Sequence, residues 1–266
     1  MRRESVPFLI LIAVLALPAA AGAFRLEETW QKSFPVKPGA ELVLDNTNGS
    51  IRVEAWDAGS IEVTAEIRIK SPSKSKAERL YEGLTFDVES DSARVAVEAR
   101  LPRLRQDGFI GLVFGQSTAI TIRYTVKVPR ETRLRLTNVN GDIDVDGASG
   151  AFILKTTNGG VEARFIGGEG EVKTVNGAID FSLERLPEKG EISLHTVNGD
   201  IDASLPSDIS AAVDASVMNG GVDVDIPATR RLLVKRGHFK GVFGGGEGEI
   251  SLETTNGNIS IRSNPL

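Results

Sequence analysis

Five carboxylates recur at one place in a repeating pattern. Asp144, Glu162, Asp180, Asp202 and Asp223 each lie four residues after an asparagine that precedes a glycine. Stacked on one another, they would form an acidic row able to hold divalent cations or a basic partner. Like charges about 4.8 Å apart repel unless a counter-charge sits among them. The plainer alternative is a solvated strand face kept charged for solubility. Lys155, Lys173 and His195, three residues before their asparagines, make a partly basic row. The run Asp142-Ile143-Asp144-Val145-Asp146-Gly147 mimics the start of an EF-hand loop, but Ile153 stands at the twelfth place, where that loop needs Glu. A second cluster is a basic and aromatic interaction loop, Arg236, His238, Phe239, Lys240 and Phe243, followed by three glycines. Such a loop could touch anionic lipid or polysaccharide, or be an enlarged turn. Residues 101–115, arginine-bearing and then apolar, read either as a hairpin tip for a membrane or partner, or as packing over the end of the fold.

Other chemistries are excluded or unsupported. The chain has no cysteine, so it has no disulfide, thiolate metal site or thiol nucleophile. Its two histidines, His195 and His238, form no readable triad, and no phosphate loop or dinucleotide fingerprint appears. No catalytic residue, cofactor-binding residue or metal ligand is therefore assigned, and no cofactor is expected. A net charge of −5 and a pI near 5.3 argue against a nucleic-acid partner.

These residues are positioned by a repeat. Asn-Gly occurs at Asn48, Asn140, Asn158, Asn176, Asn198, Asn219 and Asn256, at intervals of 18–22 residues from Asn140 until a last interval of 37. Three residues after each asparagine stand Ile51, Ile143, Val161, Ile179, Ile201, Val222 and Ile259. Four before it stand Leu44, Leu136, Leu154, Val172, Leu194, Ala215 and Leu252. The columns at +5 and −6 are also apolar, apart from Gly170. Side chains alternate faces along a strand, so each unit is strand, Asn-Gly corner, strand, with its apolar residues on one face. Two short strands bury no core alone, whereas stacked units do. The fold class expected is all-β: a parallel β-solenoid, in its right-handed β-helix form, of at least six coils. Separate Asn-Gly hairpins are the competing reading. Glycine would supply positive φ at each corner. The seven asparagines would bond into a ladder on the inward face, as stacked amides do. Asn264, outside the repeat, would be an exposed asparagine for comparison.

The remaining segments have separate readings. Arg2 and Arg3, the apolar run 8–17 and the small residues 19–23 describe a signal peptide cleaved after Ala23. That run is half the length of a membrane span. Residues 24–133 hold the first coil and an N-terminal capping region with one short helix over 73–84, started by Ser73. Residues 134–266 hold the solenoid repeats, continuous with 24–133 as one domain. The mature protein is expected to be exported, either periplasmic or extracellular and cell-envelope associated, with no transmembrane helix.

The stretch DNTNGSIRV, the strand YTVKVP and the units TTNGGVEA, TVNGAIDF, TVNGDIDA and TTNGNISI resemble the DUF4097 family of bacterial β-strand-repeat adhesins. The likeness runs over residues 42–261. It implies an exported or envelope-associated β-solenoid and carries no catalytic residues. The function expected is a non-catalytic adhesin-like or envelope binding and scaffold protein. Its partners would be envelope polysaccharide, a membrane surface or another protein. The alternative is a carbohydrate-active enzyme, a polysaccharide lyase or hydrolase, on a parallel β-helix.

Overall fold

The computed structural model describes residues 24–101, 118–226 and 228–264. The expected signal peptide and most of segment 101–115 therefore lie outside the described residues. The chain opens with β1 (Phe24–Pro35). The first Asn-Gly corner joins β2 (Glu41–Asn48) to β3 (Ile51–Trp56). An insertion follows: β4 (Ser60–Ser71), helix α1 (Lys74–Glu82), β5 (Thr85–Ser90), β6 (Arg94–Arg100) and β7 (Ala119–Pro129). Four corners then join β8 (Arg133–Asn140) to β9 (Ile143–Ala148), β10 (Phe152–Lys155) to β11 (Val161–Phe165), β12 (Gly170–Lys173) to β13 (Ile179–Leu183), and β14 (Glu191–Asn198) to β15 (Ile201–Leu205). The next joins β16 (Ala211–Asn219) to β17 (Val222–Asp225). A hairpin, β18 (Arg230–Lys235) and β19 (His238–Phe243), precedes the last pair, β20 (Gly248–Asn256) and β21 (Ile259–Ser263).

The result is an almost all-β fold of two mixed sheets and one short helix. One sheet has ten strands, in the order β1-β4-β7-β3-β9-β11-β13-β15-β21-β17. The other has eleven, in the order β18-β19-β16-β20-β14-β12-β10-β8-β2-β6-β5. Every repeat strand pairs in parallel with its neighbours, so the repeats are not separate hairpins. The register follows the sequence columns. Leu154, Val172, Leu194, Leu252 and Ala215 face one another across β10, β12, β14, β20 and β16. Val161, Ile179, Ile201, Ile259 and Val222 do so across the other sheet. These columns belong to one buried cluster running from Phe34 to Ile261, with Val222 half-buried against it. Gly170 takes its place between Phe152 and Ile192, and the same coil carries the large Phe181, whose ring lies 5.8 Å from Phe152.

Spatial order departs from chain order at the end. β20 inserts between β14 and β16, and β21 between β15 and β17. The sixth coil in the chain is thus the outermost, and the seventh fills a gap beneath it. The cause is visible in the hairpin: β19 pairs antiparallel with β16 on its outer side, leaving only the inner edge of β16 for the returning chain.

Both ends of the stack change to antiparallel pairing. At one end β4 runs against β7 and β1 against β4, while β5 runs against β6. Antiparallel strands finish a sheet without requiring another coil. Helix α1 lies over β1 and β4, with Ala77 and Leu80 buried. Ser73 caps it as its sequence position predicts, accepting a hydrogen bond from the Lys76 backbone N–H at 3.4 Å.

Candidate functional site

Three lines of groups run up the stack at the corners. The glycines form the innermost constraint. A Cβ on Gly177 would lie 1.9 Å from the Gly159 carbonyl oxygen, and one on Gly199 would lie 2.0 Å from that of Gly177. Positive φ is not the common cause, because Gly159, Gly177 and Gly199 lack it. From Gly141 onward each corner glycine is held directly against a neighbouring corner glycine's carbonyl, and any side chain would part them.

The second line sits two residues before each asparagine. Thr156, Thr174, Thr196 and Thr254 are buried, and their hydroxyls donate to the carbonyls of Gly141, Gly159, Gly177 and Gly199 at 2.9–3.0 Å. Asn138 Nδ2 donates in the same way to Gly49 at 2.7 Å. Val217 occupies this place in the outermost coil and has no hydroxyl to continue the line.

The third line is the asparagines themselves. Asn219 Nδ2 donates to Asn256 Oδ1, and the chain of bonds continues through Asn198, Asn176, Asn158 and Asn140 to Asn48, each at 2.8–2.9 Å. The ladder lies on the exterior, not on the inward face the strand alternation predicts: Asn140 to Asn256 are exposed and Asn48 is half-buried. The chain turns between the two strands, so alternation stops at the buried threonine. Asn264 is not a free comparison either, since its amide donates to the Leu183 carbonyl at 2.9 Å. Each ladder amide is bonded to another protein group, so these corners present no converging free polar atoms to a ligand.

The acidic row lies on the outer face of the ten-stranded sheet, and the altered coil order divides it. Asp144, Glu162, Asp180 and Asp202 are direct neighbours across β9, β11, β13 and β15. Ser260 then stands between Asp202 and Asp223. The row of five is therefore four carboxylates and one apart. Arg52 adjoins it at the other end, 3.3 Å from Asp144, and Arg164 pairs with Glu162. Among the described residues no group of three or more His, Asp or Glu side chains is arranged to hold a metal ion.

The outer face of the eleven-stranded sheet carries an open depression of about 900 Å³, with Glu41, Arg133, Arg135, Glu171, Lys189 and Glu191 among its lining. Two of its carboxylates, Glu171 and Glu41, are paired. Glu171 lies between Lys173 and Lys155, the latter at 2.9 Å. The hydrogen bonds from Lys173 and then Lys155 hold its carboxyl below the usual carboxylate range. Glu41 is shared between Arg94 at 3.4 Å and Arg135 at 3.6 Å. Phe152 contributes to this lining, but its side chain is buried in the core and offers no stacking platform outside.

The interaction loop expected at residues 236–243 is the hairpin of β18 and β19. Phe239 and Phe243 face inward and are buried, their rings 6.2 Å apart. They close the end of the core, because β16 needs an apolar cover where the coils stop. Asp214 accepts from His238 at 2.8 Å and from Lys240 at 2.9 Å. Burial pushes its carboxyl up, but the bonds and charges of Lys240 and His238 outweigh that and hold it below the usual range. Of the five predicted loop residues, only Arg236 stays exposed without a partner among the described residues. Its neighbours Leu232 and Val234 are 51% and 63% exposed on the edge strand β18. The apolar run between Arg231 and Lys235 was legible, but only the pairing shows that β18 extends past the core. Glu171 and Asp214 were missed, since Lys155 and both partners of Asp214 lie on other strands.

A family model described as Toastrack DUF4097 matches residues 40–262. Among solved structures, a protein of Clostridium sporogenes ATCC 15579, provisionally named a cell adhesion protein, is 13% identical; the match covers 89% of this chain and 100% of that one, with a TM-score of 0.49. A protein of Bacteroides fragilis NCTC 9343, provisionally named an adhesin, is 11% identical over 89% and 97% of the two chains, with a TM-score of 0.44. A third, of Parabacteroides distasonis ATCC 8503, is provisionally named a lipid binding protein and is 12% identical over 89% and 97%, with a TM-score of 0.25. No curated protein matches the chain.

Proposed function

Because this chain belongs to the DUF4097 family, we propose that it is an exported, non-catalytic, adhesin-like binding or scaffold protein of the cell envelope. We read its repeats as a parallel β-solenoid forming one continuous domain from residue 24, with 24–133 contributing the first coil and the cap. Right-handed winding follows the rule for crossovers between parallel strands of one sheet. Export rests on the charge, apolar run and small residues of the first 23 positions. Among the described residues no helix is long and apolar enough to cross a membrane.

The observation that carries the binding role is the outer face of the eleven-stranded sheet. It is long and open, and two of its carboxylates, Glu41 and Glu171, are each held between two basic side chains. A glycosidase needs two carboxyls across a bound sugar, one of them kept protonated. Glu171, held ionised between two lysines, is the opposite of that acid. The partner classes we propose are envelope polysaccharide, a membrane surface or another protein. The contact surface would be this face together with the exposed edge of Arg230, Arg231, Leu232, Val234 and Arg236.

Sedimentation of the purified chain with isolated cell-wall sacculi and with anionic vesicles tests the reading. Binding by the wild type, weakened in a Leu232→Ser, Val234→Ser, Arg236→Glu variant of unchanged stability, is the expected result. Release of new reducing ends or unsaturated sugars from wall polysaccharide would overturn it in favour of the enzyme.

A further inference from the structure

An Asn-Gly pair is chemically reactive as well as structural. With no side chain on glycine, its backbone nitrogen can approach the preceding asparagine's side-chain carbon more closely than that of any other residue. The stack treats the seven pairs unequally. Six glycine N–H groups donate to the asparagine carbonyl of the adjoining coil: Gly49 to Asn140, Gly141 to Asn158, Gly159 to Asn176, Gly177 to Asn198, Gly199 to Asn256 and Gly257 to Asn219, at 2.8–3.1 Å. The Gly220 N–H has no such partner among the described residues, because its coil is outermost and no further asparagine lies beyond. The side chains differ in the same sense. Asn140, Asn158, Asn176, Asn198 and Asn256 are each held at both Nδ2 and Oδ1, whereas Asn219 is held only by its Nδ2 bond to Asn256. Asn219 is also exposed.

We propose that Asn219 is a spontaneous deamidation site, and that the fold protects the other six Asn-Gly pairs. Gly220 N attacks Asn219 Cγ and gives its proton to a solvent base. The Cγ–Nδ2 bond breaks and ammonia leaves, closing a succinimide ring. Water then opens either carbonyl of the ring, yielding aspartate or isoaspartate, with no oxidant or reductant consumed. In the other six pairs the attacking nitrogen is tied into a backbone bond, and in all of them but Asn48 the side chain is held at both ends, so reaction there waits on local opening. Opening is easiest at the end of a stacked structure. The product removes the donor to Asn256 Oδ1 and sets a carboxylate against that oxygen. Deamidation thereby loosens the corner between β16 and β17 and leaves the inner coils intact.

The test is peptide mapping by mass spectrometry after incubation of the folded chain at mildly alkaline pH. Conversion at Asn219 is expected to be about tenfold faster than at any of the other six, a bonded amide being worth roughly one such factor. In denaturant all seven should convert at similar rates. Asn219 reacting no faster than Asn176 in the folded chain, or an inner pair reacting first, would overturn the proposal. A second measurement addresses the consequence. In an Asn219→Asp variant, hydrogen-exchange protection should fall around residues 217–225 and hold across β8 to β15. Loss of protection throughout the stack would refute the confinement of the effect to the outer coil.

Discussion

The Gly177 amide donates to Asn198 of one neighbouring coil, its carbonyl accepts from Thr196 at 2.9 Å, and its Cα faces the Gly159 carbonyl of the other neighbour. Nothing larger than hydrogen fits at that Cα. Gly177→Ala is therefore expected to destabilise the protein by about 3 kcal/mol, because backbone and not a yielding side chain opposes the new methyl. Equilibrium denaturation measures it, and a change near zero would mean the coils can part locally. The exposed ladder is weaker per rung. Asn176→Ala loses a bond on each side and should cost about 1 kcal/mol; Asn219→Ala loses a single bond and should cost about half as much. Equal midpoints for the two variants would count against ladder bonding as a stabilising term. The threonine, asparagine and glycine columns were all legible at this scale, since each recurs at fixed distance from the next. The reason for the glycine was not legible, because positive φ and a crowded neighbour leave the same mark on a sequence.

At the scale of elements, the strands follow directly from alternation, and their partners follow from matching columns. The exception is β20 and β21. The interval of 37 residues before Asn256 reads either as an interaction loop or as an enlarged turn, and it contains the hairpin that covers β16 and forces the last coil into the gap below. Removing residues 248–266 would open the middle of both sheets, exposing β14 and β16 together with β15 and β17. That deletion is expected to unfold the outer coil as a unit and abolish protection in β16 and β17, while β8 to β13 keep theirs. Hydrogen exchange would register it. Simple fraying, with β16 still protected, would show that β16 can close onto β14 without the final coil. Filling a gap from a distant part of the chain also makes this closure non-local, which slows folding relative to stacking in order.

For the whole molecule, charge is distributed along the outside, and part of it is tied down in pairs. The Glu171 and Asp214 carboxyls are both held below their ordinary values of 4.5 and 3.8. A depressed carboxylate contributes stability above its unfolded pKa and loses it as pH falls through the folded value. Unfolding free energy from these groups should therefore be level above about pH 5 and decline in more acid solution. Glu171→Gln should make that decline shallower. A wild-type profile that is flat down to pH 3.8 and below would contradict the paired geometry. The sequence by itself determined the strand-corner-strand unit, the apolar columns, the short capped helix and the absence of thiol chemistry, because periodicity and composition are local properties. Only the tertiary structure decided which coil lies beside which. That ordering divides the acidic row at Ser260, buries Phe239 and Phe243, and leaves Asn219 on the outermost rung. The physical reason is that identical Asn-Gly units carry no address: their registers are interchangeable, and the order is set by which strand edges the hairpin and the antiparallel end strands leave open.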